Sequence, residues 1–185
     1  LGAAVCFVFA VTFGLAAAAN WQDVLKLLNA EPFGYNDPVF GKDVGFYIFS
    51  LPVISLSLGL AKTLIILSLV SSGLLYGLRG LFNLQALTRR LGIPELEFLG
   101  NGKTDPTARV HMGILTALFF AALAVGSYLS LFGLLVNQSG PVFGAAFTDN
   151  AVLIPLLRAS VFLYSLCAIF SLLWAVSGPV APLLW

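Results

Sequence analysis

Residues 29–52 read NAEPFGYNDPVFGKDVGFYIFSLP and separate two long apolar runs. The stretch holds three prolines, three glycines, six aromatic residues and three carboxylates. Pro32, Pro38 and Pro52 lock φ, while Gly34, Gly41 and Gly45 permit conformations closed to other residues. A segment so dense in backbone-fixing residues is built to hold one shape, and its place between apolar runs puts that shape at a membrane surface. Asp37-Pro38 within it is a turn or helix-start signature, because an Asp side chain can cap and proline is preorganised for the first helical position.

The rest of the chain supports a bilayer as its solvent. Of 185 residues, 59% are apolar and 9% are charged, against about 25% charged in soluble domains. Mean hydropathy is +1.00. A water-soluble fold of this composition has too few polar side chains to cover its surface. The net charge of +1 supplies no basic field for nucleic acid, so no nucleic-acid partner is expected. The fold class that follows is all-α, a polytopic bundle of about four transmembrane spans with short interfacial helices.

Working outward from the loop, the spans are expected at 1–19, 53–78, 110–136 and 151–176, each near or above the roughly 20 residues that cross a bilayer core. They belong to one membrane domain, 1–185. The first run ends in LAAAAN, which also resembles the cleavage end of a secretory leader; the lack of a basic segment before it favours a span. After it, WQDVLKLLNA places Trp21, Val24, Leu25 and Leu28 at helical spacing, a pattern for a short helix lying in the interface. Residues 79–109 are the most polar, with Leu81, Leu84, Leu87, Thr88 and Leu91 at helical spacing and Arg89 and Arg90 beside them suggesting a second interfacial helix. Residues 137–150, NQSGPVFGAAFTDN, form a second loop rich in glycine and aromatics. The chain opens on Leu1 inside one apolar run and stops at Trp185 at the start of another, which reads as a piece of a longer protein.

Orientation follows from the basic residues. Arg79, Arg89, Arg90, Lys103 and Arg109 lie between the second and third runs, whereas 20–52 holds Lys26 and Lys42, and 137–150 holds none. Positive charge stays on the cytoplasmic side, so 79–109 is expected inside and both aromatic loops outside. The resulting localisation is the cell membrane, as a multi-pass protein with the lipid bilayer as a partner.

Groups that could carry chemistry are few. Lys62 and Arg158 are the ionisable residues within apolar runs; each either lines a path between helices or snorkels to the headgroups. No carboxylate lies within a span, which argues against a proton relay. His111, Cys6 and Cys167 cannot together supply a metal site. Glu31, Asp37, Asp43 and Asp149 could offer oxygen ligands to a hard cation, but their spacing fits caps and turns better. There is no glycine-rich phosphate loop and no GxSxG, so no catalytic residue, cofactor or metal is expected, and the chain does not read as an enzyme. Gly73 and Gly77, four apart on one helical face in the second span, have the spacing that allows another helix to approach closely.

The first loop carries a resemblance. Asn29-x-x-Pro32-Phe33-Gly34-x-x-Asp37-Pro38-x-Phe40-Gly41-x-Asp43-x-x-Phe46-Tyr47-x-Phe49-x-Leu51-Pro52 is similar to the signature of a family of large bacterial membrane proteins, uncharacterised protein family number zero-one-eight-two. Gly140-x-Val142-Phe143-Gly144-Ala145-x-Phe147-Thr148-Asp149 resembles that family's motif at the matching later place, with Phe147 where relatives often have Tyr. The resemblance implies several N-terminal spans followed by a large extracytoplasmic region, so that more spans precede Leu1 and a soluble part follows Trp185. It implies no activity. Two functions fit these features: a membrane anchor whose rigid outer loops dock the extracytoplasmic part or a membrane partner, or a transporter or channel-like protein with a path near Lys62 and Arg158. The absence of carboxylates from the spans favours the first. Phe33, Phe40, Phe46, Tyr47 and Phe49 are expected to pack on the Phe143 and Phe147 segment or on the span ends beneath it.

Overall fold

The computed structural model describes residues 2–78, 106–136 and 149–177. Five α-helices account for most of them: α1 (Gly2–Ala19), α2 (Trp21–Leu28), α3 (Leu51–Leu78), α4 (Pro106–Gly133) and α5 (Ile154–Ser177). Among the described residues there is no strand, only an isolated antiparallel bridge between Asn36 and Asp43. The protein is therefore all-α. Three helical segments, Phe46–Gly77, Pro106–Val136 and Ala151–Val176, are long and apolar enough to cross a membrane. The longest helices, at 28 residues, extend about 42 Å, more than a hydrocarbon core of about 30 Å requires.

Helix is what such sequences must form in lipid, where each backbone polar group needs a partner within its own segment. The same rule governs the hydroxyls. Ser57, Ser71, Thr116, Ser130, Ser165 and Ser171 each donate to the carbonyl four residues earlier, at 2.6 to 2.9 Å. These side chains are thus satisfied without reaching another helix. Large apolar residues stand in the open on the helix surfaces, among them Leu64, Val70 and Leu74 on α3 and Phe162 and Phe170 on α5. Such faces suit lipid rather than water.

Two of the long helices begin unusually. A five-residue π turn, Phe46–Ser50, leads into α3, and another, Asp149–Leu153, leads into α5. In each case the second residue of the helix is a proline, Pro52 or Pro155. A proline ring crowds the carbonyl four places before it and cannot donate to it, which favours a wider turn at that point. The helical part of the second span consequently starts at Phe46, seven residues before the expected Val53.

The described residues fall into two compact units. In the unit of Leu1–Leu60 with Gly126–Arg158, Tyr47, Leu51 and Phe132 form a buried cluster, with Phe40, Phe46, Leu129 and Leu135 packed against it. Here α2 lies beside both α1 and the Phe46–Ser50 turn. It presents Trp21, Val24, Leu25 and Leu28 in the open and ties Lys26 to Asp23 at 2.9 Å. In the unit of Ala61–Val125 with Ala159–Trp185, the buried hydrophobic residues among the described ones are all alanines: Ala108, Ala117, Ala122, Ala124 and Ala175. Small side chains let helix backbones approach closely, which is the usual way helices associate without a hydrophobic drive between them. The tightest point is Gly113 of α4, where a Cβ would stand 2.5 Å from the Cβ of Ala175 and 3.2 Å from the carbonyl oxygen of Ser171. Gly73 has only the Met112 methyl at 3.8 Å, and Gly77 has nothing near it, so the glycine pair expected to mark a contact is looser than this lone glycine.

Candidate functional site

The first loop is folded on itself by two aspartates. Asp37 opens a single turn: its Oδ1 accepts from the Val39 amide at 3.0 Å and its Oδ2 from the Phe40 amide at 2.6 Å. Pro38 takes the first position, where a missing N–H costs nothing. The signature for a helix start is thus used for one turn only, closed by the Gly41 amide donating to the Asp37 carbonyl at 2.9 Å. Gly41 has φ +66°, a left-handed conformation that ends the turn and that an L side chain resists. The Tyr47 hydroxyl then donates to Asp37 Oδ2 at 3.0 Å, joining the loop to the start of the span.

Asp43 gathers the other half. Its Oδ1 accepts from the amides of Gly45 at 2.6 Å and Phe33 at 3.2 Å, and its Oδ2 from the amide of Gly34 at 2.8 Å. Gly34 also has positive φ, +74°. Between the two carboxylates, the Asp37 amide donates to the Lys42 carbonyl at 2.8 Å and the Val44 amide to the Tyr35 carbonyl at 2.9 Å. Every carboxylate oxygen of Asp37 and Asp43 is therefore engaged by a donor of the loop itself. Among the described residues, no group of three or more metal-ligating side chains occurs.

The electrostatics agree with the geometry. Burial raises the Asp37 carboxyl, but hydrogen bonds from Val39, Phe40, Tyr47 and Gly41 outweigh it and hold the group below its ordinary value of 3.8. For Asp43 the Gly45 amide acts most strongly, burial opposes it, and the Phe33 and Gly34 amides add to the lowering. A carboxyl depressed on folding contributes stability above its unfolded value, and that contribution is lost as pH falls through the lower, folded value. The loop is accordingly expected to be insensitive between about pH 5 and 8 and to loosen below about pH 4. Amide exchange at Val39, Phe40, Gly34 and Gly45 checks this, and Asp37→Asn with Asp43→Asn should abolish the acid dependence. Unchanged protection at pH 3 would overturn it.

Rings attach the loop to α4. Phe132, 4% exposed, is flanked by Phe40, Phe46 and Tyr47 from the loop side and Tyr128 from its own helix, with centroids 5.1, 5.3, 6.3 and 5.2 Å away. All four pairs are edge-on, the arrangement ring quadrupoles prefer. Phe33 stacks on Phe49 at 5.9 Å, and Lys42 Nζ lies 5.8 Å from the Phe46 ring centre. The expected seat for these aromatics included the end of the third span, and that is where Phe132 stands; the expected partners Phe143 and Phe147 lie outside the described residues. So do Gly144 and Thr148, while Asp149 opens the second π turn. Pro32 is exposed beside the loop, and Pro52 sits inside the first turn of α3.

The other candidates stand apart from this site. Lys62 is half-buried on α3, and Arg158 is exposed on α5. Sequence reasoning missed a second polar contact, between α3 and α4: the Tyr76 hydroxyl and His111 Nδ1 are 2.8 Å apart. Aromatic residues at span ends were the only signal for it. An open groove of about 360 Å³, lined by Gly113, Thr116, Phe170, Ser171 and Trp174, runs between α4 and α5. Its two hydroxyls are turned to their own helices, which leaves it apolar.

The family profile described as Uncharacterised protein family (UPF0182) matches residues 1–185. The chain belongs to UPF0182. A UPF0182 protein of Geobacter sp. (strain M21) is 35% identical over 163 residues, covering 88% of this chain and 17% of the relative. One from Cupriavidus necator is 37% identical over 173 residues, covering 90% and 17%, and one from Kocuria rhizophila is 34% identical over 152 residues, covering 82% and 14%. The chain thus spans about a sixth of the length of these UPF0182 relatives. No solved structure matches it.

Proposed function

We propose that this part of the UPF0182 protein is a multi-pass anchor in the cell membrane whose first loop is a preformed seat for the extracytoplasmic part of the same polypeptide. The observation that carries the reading is a loop made rigid by its own carboxylates that nonetheless leaves Phe33, Tyr35 and Val39 exposed, Tyr35 by 77%. Ordering a loop residue costs about 1–2 kcal/mol in backbone entropy, so a surface ordered in advance binds without that cost. The greater length of the relatives supports a large remainder of chain as the occupant. In this reading α1 is a fourth span, α2 lies in the interface, and the arginine-rich 79–109 segment faces the cytoplasm.

The test uses the full-length protein in a bacterial membrane, with a photo-reactive amino acid at Tyr35 or Val39. Cross-linked peptides should join these positions to residues beyond the membrane section of the same chain. Adducts with lipid alone would overturn the docking role. Lys62→Leu addresses transport: under the anchor reading, abundance and growth stay as in the wild type, because the lysine only carries its charge to the headgroups. Loss of a growth or transport phenotype at normal abundance would instead support a path.

A further inference from the structure

The lead-in to α3 recurs at α5, residue for residue in spacing. Pro38-Val39-Phe40-Gly41 is followed by Pro52, fourteen residues after Pro38; Pro141-Val142-Phe143-Gly144 is followed by Pro155, fourteen residues after Pro141. The described parts keep the same register. Phe46 and Asp149, the first residues of the two π turns, each lie eight places after the leading proline. Leu51 and Ile154, directly before the second prolines, are both buried, at 8% and 6% exposure. A proline near a helix start can widen a turn wherever it occurs. It does not explain why the same tetrapeptide stands the same distance ahead of both.

We propose that the two segments are copies of one element, PVFG-x10-P, that starts a membrane span, and that the chain presents this element twice on one side of the bilayer. The copies run in the same order in sequence, each preceding the helix it leads into. What differs between them is informative. The positions of Asp37 and Asp43 in the first copy are held by Gly140 and Ala146 in the second. The tetrapeptide, the wide turn, the buried aliphatic residue and the proline are kept; the carboxylates that tie the first loop to itself are not. The repeated device is therefore the start of the span, and the self-closed seat is an addition made in the first copy. In sequence Gly144 holds the register position of Gly41, whose own φ of +66° excludes a branched side chain although the space around it is open.

Full-length protein in membranes decides the matter. Gly41→Val and Gly144→Val should each lower the folded-to-unfolded ratio by about 5- to 30-fold, whereas Gly133→Val, in an open helical position, should change it far less. A second arm replaces residues 141–155 with the sequence of 38–52. The transplant should keep wild-type abundance, and a control with the same insert shifted by one residue should not. Wild-type behaviour of Gly144→Val, or a transplant no better than the shifted control, overturns the repeat.

Discussion

Replacing Phe132 by alanine is expected to destabilise the protein by about 3–5 kcal/mol, the range for truncating a buried aromatic ring. The side chain is 4% exposed and makes edge-on pairs with four rings, three of which belong to the first loop or its π turn. Each pair contributes about 0.5–1.5 kcal/mol beyond its buried area, so the loss reaches both sides of the contact. The loop should remain closed by Asp37 and Asp43 yet come away from α4. Thermal melting in detergent reads the first effect. Proteolysis near Tyr35, faster in Phe132→Ala than in Phe132→Leu, reads the second. A melting curve like that of the wild type would mean that the rings touch without holding the loop.

Gly113→Leu carries the other large effect. The first added atom alone would stand 2.5 Å from the Ala175 Cβ, 3.1 Å from its Cα and 3.2 Å from the Ser171 carbonyl. Two of those neighbours are backbone atoms and cannot rotate away, so the helices must separate. Overpacking of this kind costs about 1–3 kcal/mol, and occasionally more. A compensating pair distinguishes local crowding from a general intolerance of the position. Gly113→Ala should destabilise, and Gly113→Ala with Ala175→Gly should recover much of the loss, an interaction energy that a double-mutant cycle measures directly. Additive losses would show that α4 and α5 do not meet there.

The sequence makes the local features plain and hides those that depend on partners far along the chain. Asp37-Pro38 announces its turn because cap, proline and closing Gly41 are neighbours, and α2 announces its face because Trp21, Val24, Leu25 and Leu28 follow a helical period. The spans follow from composition alone. Phe132, by contrast, sits in AVGSYLSLFGLLVNQ, where most residues are apolar and nothing marks which one the loop will meet. Gly113 is equally silent: a lone glycine in HMGIL carries less signal than the Gly73 and Gly77 pair, although it is the one pressed against another helix. The helical character of residues 46–50 is hidden for a related reason. FYIFS reads as the aromatic end of a loop, and the wide turn that makes it helical follows from Pro52, a residue ordinarily taken to begin a helix rather than to shape what precedes it.

The wide turn also sets an angle. A π turn holds one residue more than an α turn, and one residue of α-helix is about 100° of rotation about its axis. The azimuth of everything in α3 is therefore decided before the helix proper begins, by how many residues occupy 46–50. It is this phase that turns Leu51 to the rings. Removing a single residue from 46–50 would keep the span long enough to cross the bilayer and spin its lipid-facing side by roughly a quarter turn. The loop is in that sense the dial that aims the helix, and length alone would never reveal the setting.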